Sequence, residues 1–213
     1  MLVRVLPVAL NPNDHKMITH LNMPGSVAGC DFCGLVEPSP DGHTVPRFPS
    51  DTRWLVADSR ILVKVPDSWS DLEAASRGVG WSTPCLAFPD TDALALEGLP
   101  TLSTHKSGDP VLQSLPNAPF SSLKSYGAAV TASYTSKDCA ATIKSLARKP
   151  IRHVLDCIMD MESVPLRFSA LARTGGRYAY REECLAEWRT RWAVRMKEVM
   201  GFRTLGVDMD LES

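Results

Sequence analysis

The stretch "STHKSGDPVLQSLPNAPFSSLKSYGAAVTASYTS", residues 103 to 136, decides how this sequence is read. Its end looks like the tail of a helix, a glycine stop at Gly127 and a strand, the second half of a βαβ unit. A dinucleotide-binding unit would place a strand, a Gly-x-Gly turn and a helix just before it. Here "PVL" runs straight into "QSLPN", with Gly108 the one glycine nearby and two prolines that carry no N–H. Backbone N–H groups at a helix N-terminus are what hold a pyrophosphate. A βαβ unit takes some 30 residues, and the interval between "GLPT" and "SYGAA" is not expected to hold one.

Working outward, the chain alternates order and punctuation. Residues 127 to 180 read as β-α-β-α-β, the pattern of a parallel sheet. Ser136 caps the first helix, with Ala140, Ile143 and Leu146 on one face. "IRHVLDCI" is a buried strand, and "ESVPLRFSALARTGG" a helix with Pro165 near its first turn and Gly175-Gly176 at its end. "RYAYRE" is the next strand. Beyond residue 184, Leu185, Trp188, Trp192, Met196 and Val199 fall at helical spacing, yet "AVRMKEVMGF" also alternates as a strand would.

Upstream, residues 2 to 10 alternate as a strand, and "NPNDHKMI" is a turn leading into a short helix or loop. "GCDFCGLVE" is a second strand, and the proline-rich residues 38 to 53 form a long loop. "WLVADSRILVKVP" suggests two short strands. "SWSDLEAASRGVGWSTPCLAF" suggests a helix capped by Ser68 or Ser70, with Leu72, Ala75 and Val79 at helical spacing. Residues 89 to 120 have no periodicity.

Composition narrows the function classes. The 213 residues can bury a real core; 44% are hydrophobic, 22% charged, and the net charge is −1. Without a long basic or acidic block, nothing points to nucleic acid or anionic lipid. No apolar run approaches the roughly 20 residues that span a bilayer, and "MLVRVLPVALNPND" has no signal-peptide core. A cytoplasmic protein is expected. Six scattered cysteines suit a reducing compartment. Cys30 and Cys33 form a C-x-x-C, readable as half a zinc site or a redox pair. With no second ligand pair and a strand context, buried structural thiols and no metal are expected. Asp156, Asp160 and Glu162 follow a strand's end, where ligands bind but where a helix start also explains them.

The segments "VRVLPVALNPNDHKM", "AGCDFCGLVE", "ILVKVPDSWSDLEAA", "GVGWSTPCLA", "VLDCIMDMESV" and "ALARTGGRY" occur in the order found in medium-chain dehydrogenase/reductases. The chain most resembles the trans-acting enoyl reductases of fungal polyketide and polyketide–peptide synthases. The resemblance implies an α/β protein: a partial GroES-like β domain over residues 1–88, an irregular linker over 89–120 and an incomplete Rossmann-type domain over 121–213. It implies NADPH as hydride donor, an α,β-unsaturated thioester on a synthase carrier domain as substrate, and a monomer working in trans. Asn13, Asp14, His15 and Lys16 match the family's cofactor-contacting turn, with Lys16 placed to polarise the thioester. Gly80, Trp81, Ser82, Thr83, Pro84, Cys85, Leu86 and Ala87 match the substrate channel. Ser82 and Thr83 are its hydrogen-bond donors, Thr83 the catalytic candidate; helix capping or back-bonding is the structural alternative. Ser114, Leu115, Pro116 and Asn117 correspond to the turn at the adenosine 2′-phosphate, Tyr134 to a tyrosine packed on the cofactor, and Thr204 and Leu205 to the nicotinamide vicinity.

The sequence also departs from that family. It begins at a strand internal to the family pattern, replaces a glycine-containing region with residues 38 to 53, lacks the phosphate turn, and ends at Ser213 before the last expected strands. A shortened member is therefore expected. Three functions stay open: an NADPH-dependent enoyl reductase, a non-redox descendant such as a cyclase, isomerase or synthase-docking protein, and a shortened product without independent activity.

Overall fold

The computed structural model describes residues 1–20, 24–25, 29–37, 54–96, 112–113, 128, 130–133, 135–147, 149–182 and 184–201. The chain divides into two compact units, one built on Met1–Pro84 and one on Cys85–Met200. The architecture is mixed α/β, with a small antiparallel sheet in the first unit and a parallel sheet in the second.

In the first unit, β1 (Leu2–Ala9) lies between β2 (Asp31–Glu37) and β3 (Trp54–Val56), antiparallel to both. Register runs from Leu2↔Glu37 to Val5↔Gly34, then slips before resuming at Val8↔Phe32. Pro7 lies in that slip, where a residue without an N–H does least harm to the ladder. β3 pairs only with residues 2–4. At Gly34 a Cβ would stand 2.6 Å from the Arg4 carbonyl and 2.7 Å from Val3 Cγ1, so only glycine admits this close approach. The Met1 ammonium donates to Ala57 O at 2.7 Å, and Arg4 pairs with Glu37 at 3.2 Å.

The expected second strand of "WLVADSRILVKVP" is not formed. A 3₁₀ turn, Ser59–Ile61, follows β3, capped by Asp58, whose Oδ1 accepts the Arg60 N–H at 2.9 Å. Val63 is 88% exposed, so no ladder covers it. The "NPNDHKMI" segment is helix α1 (Pro12–His20). The single helix expected near residue 75 is two, α2 (Asp71–Ala75) and α3 (Gly78–Ala87). A full capping box at Ser70 and Glu73 starts α2.

In the second unit, β6 (His153–Asp156), β7 (Arg177–Tyr180) and β8 (Arg195–Glu198) form a parallel sheet in that order. The ambiguous tail thus resolves as the 3₁₀ turn Ala186–Trp188 and a strand, Arg195 pairing with Arg177 and Glu198 with Tyr180. α5 (Ser163–Ala170) connects β6 to β7. It ends five residues before Gly175, because Arg191 takes over its C-terminus: Nη1 donates to Ala172 O at 2.9 Å and Nη2 to Phe168 O. Successive β7 residues face opposite ways. Tyr178 enters a core with Val164, Phe168, Leu171 and Val194, its ring stacked on Phe168 at 5.1 Å. Ala179 enters a second core with Ala87, Ala93, Leu94 and Val199.

The remaining strands revise the sequence reading. β4 (Leu112–Gln113) and β5 (Val130–Thr131) pair in parallel, Leu112 with Val130 and Gln113 with Thr131. The residues that connect them, 114–127 and 129, lie outside the described residues. The expected continuous sheet over 127 to 180 is not formed among the described residues: β5 ladders with β4, and β6 with β7. Gly127 lies outside the described residues. α4 (Cys139–Leu146) begins at Asp138, with Ser136 Oγ accepting the Asp138 N–H at 3.3 Å.

Candidate functional site

Asp31, at the start of β2, fixes the first unit's two longer helices. It is 8% exposed, and its carboxylate accepts the Val79 N–H at 2.9 and 3.0 Å and Asn11 Nδ2 at 3.1 Å. Val79 opens α3 and Asn11 precedes α1, so the beginnings of both helices converge on one carboxylate. A helix N-terminus leaves N–H groups unpaired and favours negative charge, which Asp31 supplies to α3. A Cβ on Gly78 would lie 2.3 Å from Asp31 Oδ1; glycine makes room for the carboxylate. This contact explains the break between α2 and α3, because Asp31 needs a fresh helix start to cap.

Asp14, buried in the first turn of α1, accepts the Asn11 N–H at 2.7 Å through Oδ2, while its Oδ1 has no hydrogen-bond partner among the described residues. Asn13 Nδ2 reaches Cys30 Sγ at 4.0 Å. Cys30 is an exposed residue in the bend before β2, correcting the expectation that both C-x-x-C thiols are buried. Its sulfur is nonetheless partly enclosed, and that enclosure, with the Asp14 carboxylate beside it, pushes the thiol pKa up. Cys33 is buried, its thiol raised first by burial and then by Asp71. No group of three or more metal-ligating side chains occurs among the described residues.

The structure therefore brings Asn13 and Asp14 together with Cys30, and ties their helix to the α3 segment through Asp31. His15 and Lys16 are exposed on α1. Within α3, Ser82 Oγ and Thr83 Oγ1 both donate back to the Val79 carbonyl, at 3.1 and 3.2 Å. Thr83 is 3% exposed. Both hydroxyl protons are committed within the helix, the structural alternative weighed for them. Gly80 faces open space, Trp81 is 54% exposed, Pro84 lies inside the helix, Cys85 is exposed, Leu86 is half-buried and Ala87 is core. Ser114, Leu115, Pro116, Asn117, Tyr134, Thr204 and Leu205 lie outside the described residues.

Three residues near this site carried no sequence signal. Trp69 meets Trp81 edge-on at 5.6 Å, and the Arg77 guanidinium stands 5.4 Å from the Trp69 ring centroid. Asp31 reads as a strand residue; its partner Val79 is 48 positions away, beyond any local pattern.

In the second unit, the carboxyl end of β6 carries Asp156, fully buried. It accepts Tyr178 OH at 2.5 Å and the Ile158 N–H at 3.1 Å, and Arg167 Nη1 stands 3.1 Å from its Oδ2. Burial holds the Asp156 pKa above the ordinary aspartate value, opposed by Arg167. Burial and this carboxylate push the Tyr178 phenol well above its usual range. Asp160 closes the start of α5, its Oδ1 accepting from Glu162 N at 3.0 Å and Ser163 N at 2.6 Å.

Among the described residues, the ends of β6 and β7 do not form the phosphate cradle of a dinucleotide fold. These two strands lead into Cys157 and Arg181 without the glycine that lets backbone approach a pyrophosphate, whereas β8 leads through Val199 and Met200 to Gly201. Where a phosphate would meet the α5 N-terminus, Asp160 already accepts the N–H groups. The segment following β4 is "SLPN", again without glycine.

No protein-family model matches the chain. Curated relatives do. Trans-enoyl reductase calK of Penicillium decumbens is 51% identical, covering 99% of this chain and 70% of its own length. Trans-enoyl reductase sthE of Phaeosphaeria nodorum is 41% identical, covering 98% and 69%. Trans-enoyl reductase eqxC of Fusarium heterosporum is 31% identical, covering 98% and 71%. The match to calK extends over 260 aligned positions, more than the 213 residues here, so calK carries segments within the matched stretch that this chain lacks. Identity at this level, sustained from end to end, makes the chain a member of the fungal trans-enoyl reductase family.

Proposed function

We propose that this chain acts in trans on a fungal polyketide or polyketide–peptide synthase, engaging an α,β-unsaturated thioester on the carrier domain without turning over NADPH. Family membership supports the substrate class. The observation that carries the loss of hydride transfer is the Asp160 carboxylate closing the start of α5, the helix that follows β6. The GroES-like and Rossmann ancestry of the two units belongs to the same reading, as does a cytoplasmic monomer. No described helix is long and apolar enough to cross a membrane.

Substrate handling falls to the first unit. α1 and α3 start from the same Asp31 anchor, so Lys16 on one and Trp81 on the other are held on fixed helices. The exposed Trp81 face and the open space at Gly80 suit an apolar acyl chain. The Lys16 ammonium is the charge that polarises the thioester carbonyl. Ser82 and Thr83, whose hydroxyls serve Val79, hold the helix rather than the substrate.

A second reading, an NADPH-dependent reductase, is favoured by the 51% identity to calK. One experiment separates them. Purified chain is titrated with NADPH and, separately, with an enoyl pantetheine thioester, following tryptophan fluorescence and the thermal midpoint. The expected result is a response to the thioester alone. An NADPH-induced shift, or consumption of NADPH with the thioester present, overturns the first reading in favour of the second.

A further inference from the structure

We propose that the second unit carries a docking groove for an acidic, amphipathic segment of a partner protein, at the edge of the parallel sheet opposite its carboxyl ends. The groove has a volume of about 890 Å³. Ile151, Ala172 and Thr190 line it, and they precede β6, β7 and β8 respectively. It therefore lies at the amino ends of all three strands. Ligands of open parallel sheets bind at the carboxyl ends, and this groove lies on the opposite edge of the sheet.

Its floor is apolar, with Phe168 and Leu171 at the base and Pro165 on the wall. Its rim is basic. Lys144, Lys149 and Arg173 line it, all exposed and without an ion pair among the described residues, and no acidic residue lines it. Arg191 also lines it but is spent on the α5 carbonyls. Three exposed cations without an ion-pair partner among the described residues are a concentration of charge in a chain whose net charge is −1.

An apolar floor inside a cationic rim complements a helix with one apolar face flanked by carboxylates. The concave shape favours a protein segment over a lipid surface, which calls for an apolar face that projects into the bilayer. The inference is independent of whether the chain turns over NADPH.

The test uses the full chain and a fluorescein-labelled helical peptide with leucines on one face and glutamates beside them. Controls are the same peptide with lysine for glutamate, and phosphatidylcholine vesicles with and without phosphatidylserine. The acidic peptide binds, more weakly as salt is raised, and the basic peptide does not. Lys144→Glu/Lys149→Glu/Arg173→Glu lowers affinity about tenfold or more. Ser169→Trp, placing bulk on an exposed lining residue without changing charge, also abolishes binding. The thermal midpoint of each variant checks that it folds, and the peptide-charge comparison on the unaltered chain needs no variant. Equal binding of both peptides, equal binding by the charge-reversed or Ser169→Trp chain, or binding only to phosphatidylserine vesicles overturns the proposal.

Discussion

Replacing Arg167 with methionine tests whether the Asp156 cluster is a costly buried charge held by its partner. Asp156 is 0% exposed, and Arg167 Nη1 stands 3.1 Å from its Oδ2, the one cation paired with it among the described residues. The Arg167 side chain is itself 17% exposed, so solvent screens the pair little. Removing one member of a buried ion pair costs about 3–5 kcal/mol, because the other charge is left behind. Tyr178 and the Ile158 N–H still donate to the carboxylate, so a loss near the lower end, about 3 kcal/mol at pH 7.5, is expected. The pH dependence has a definite sign. The folded-state pKa of Asp156 lies above its unfolded value, because burial disfavours the charged form. Ionising it therefore removes stability as pH rises from the ordinary aspartate value through the folded pKa. Arg167 opposes that rise, so Arg167→Met moves the folded pKa further up and widens the window of loss. The variant should be markedly destabilised at pH 7.5 and recover much of the difference near pH 4.5. Urea unfolding reports this through Trp188, which packs against the same core. A loss below about 1 kcal/mol at pH 7.5, or one identical at both pH values, refutes the reasoning.

Other expectations follow from single contacts. Gly78→Ala sets a Cβ 2.3 Å from Asp31 Oδ1 and should cost about 1–3 kcal/mol in urea unfolding; a neutral result would show that the Asp31 carboxylate moves freely. Asp31→Ala removes the α3 cap and the Asn11 bond together, for about 2–3 kcal/mol. Combined with Asn11→Ala it should be less than additive, and full additivity would break the proposed link between the helices. Asp160→Ala should lower stability by about 1 kcal/mol through the start of α5. Thr83→Val should leave thioester binding, read by tryptophan fluorescence, within about twofold of the unaltered chain, a bound below the usual worth of one hydrogen bond. A larger loss would return Thr83 to the substrate.

What the sequence revealed depended on how local the determining forces were. Alternation placed β1 and β2, and the β-branched run placed β6, because burial on a sheet face leaves a period of two. β8 could not be told from helix: Arg195, Met196, Lys197 and Glu198 alternate weakly, and its strand state comes from the ladder to β7. The break between α2 and α3 depended on Asp31, far away in the chain. The end of α5 depended on Arg191, where Gly175-Gly176 suggested a later stop. At the site, back-bonding by Ser82 and Thr83 was legible from helical context, whereas the convergence of α1 and α3 was not. The parallel pairing of Leu112 with Val130 carried no local signal, because the two residues are far apart in the chain.

The same electrostatic arrangement recurs at four described helix starts and bears on the missing phosphate turn. Asp14 accepts the Asn11 N–H at α1, Glu73 accepts the Ser70 N–H at α2, Asp31 accepts the Val79 N–H at α3, and Asp160 accepts two N–H groups at α5. The bonds from Ser70 hold Glu73 below the usual carboxylate range, as expected for a carboxylate stabilised at a helix start. α4 is the exception, its Asp138 cap making no side-chain hydrogen bond; at the other four starts the N–H groups already meet a carboxylate of the chain. A phosphate arriving there must displace a covalently tethered carboxylate and meet its charge at contact distance, where like charges repel. Those four helix starts are therefore poor substitutes for a glycine turn. Lys144, Lys149 and Arg173 stand at the other end of α4 and α5, around the groove at the amino edge of the sheet. Their charge suits an acidic partner at that edge, away from the carboxyl ends of the strands where open parallel sheets bind their ligands.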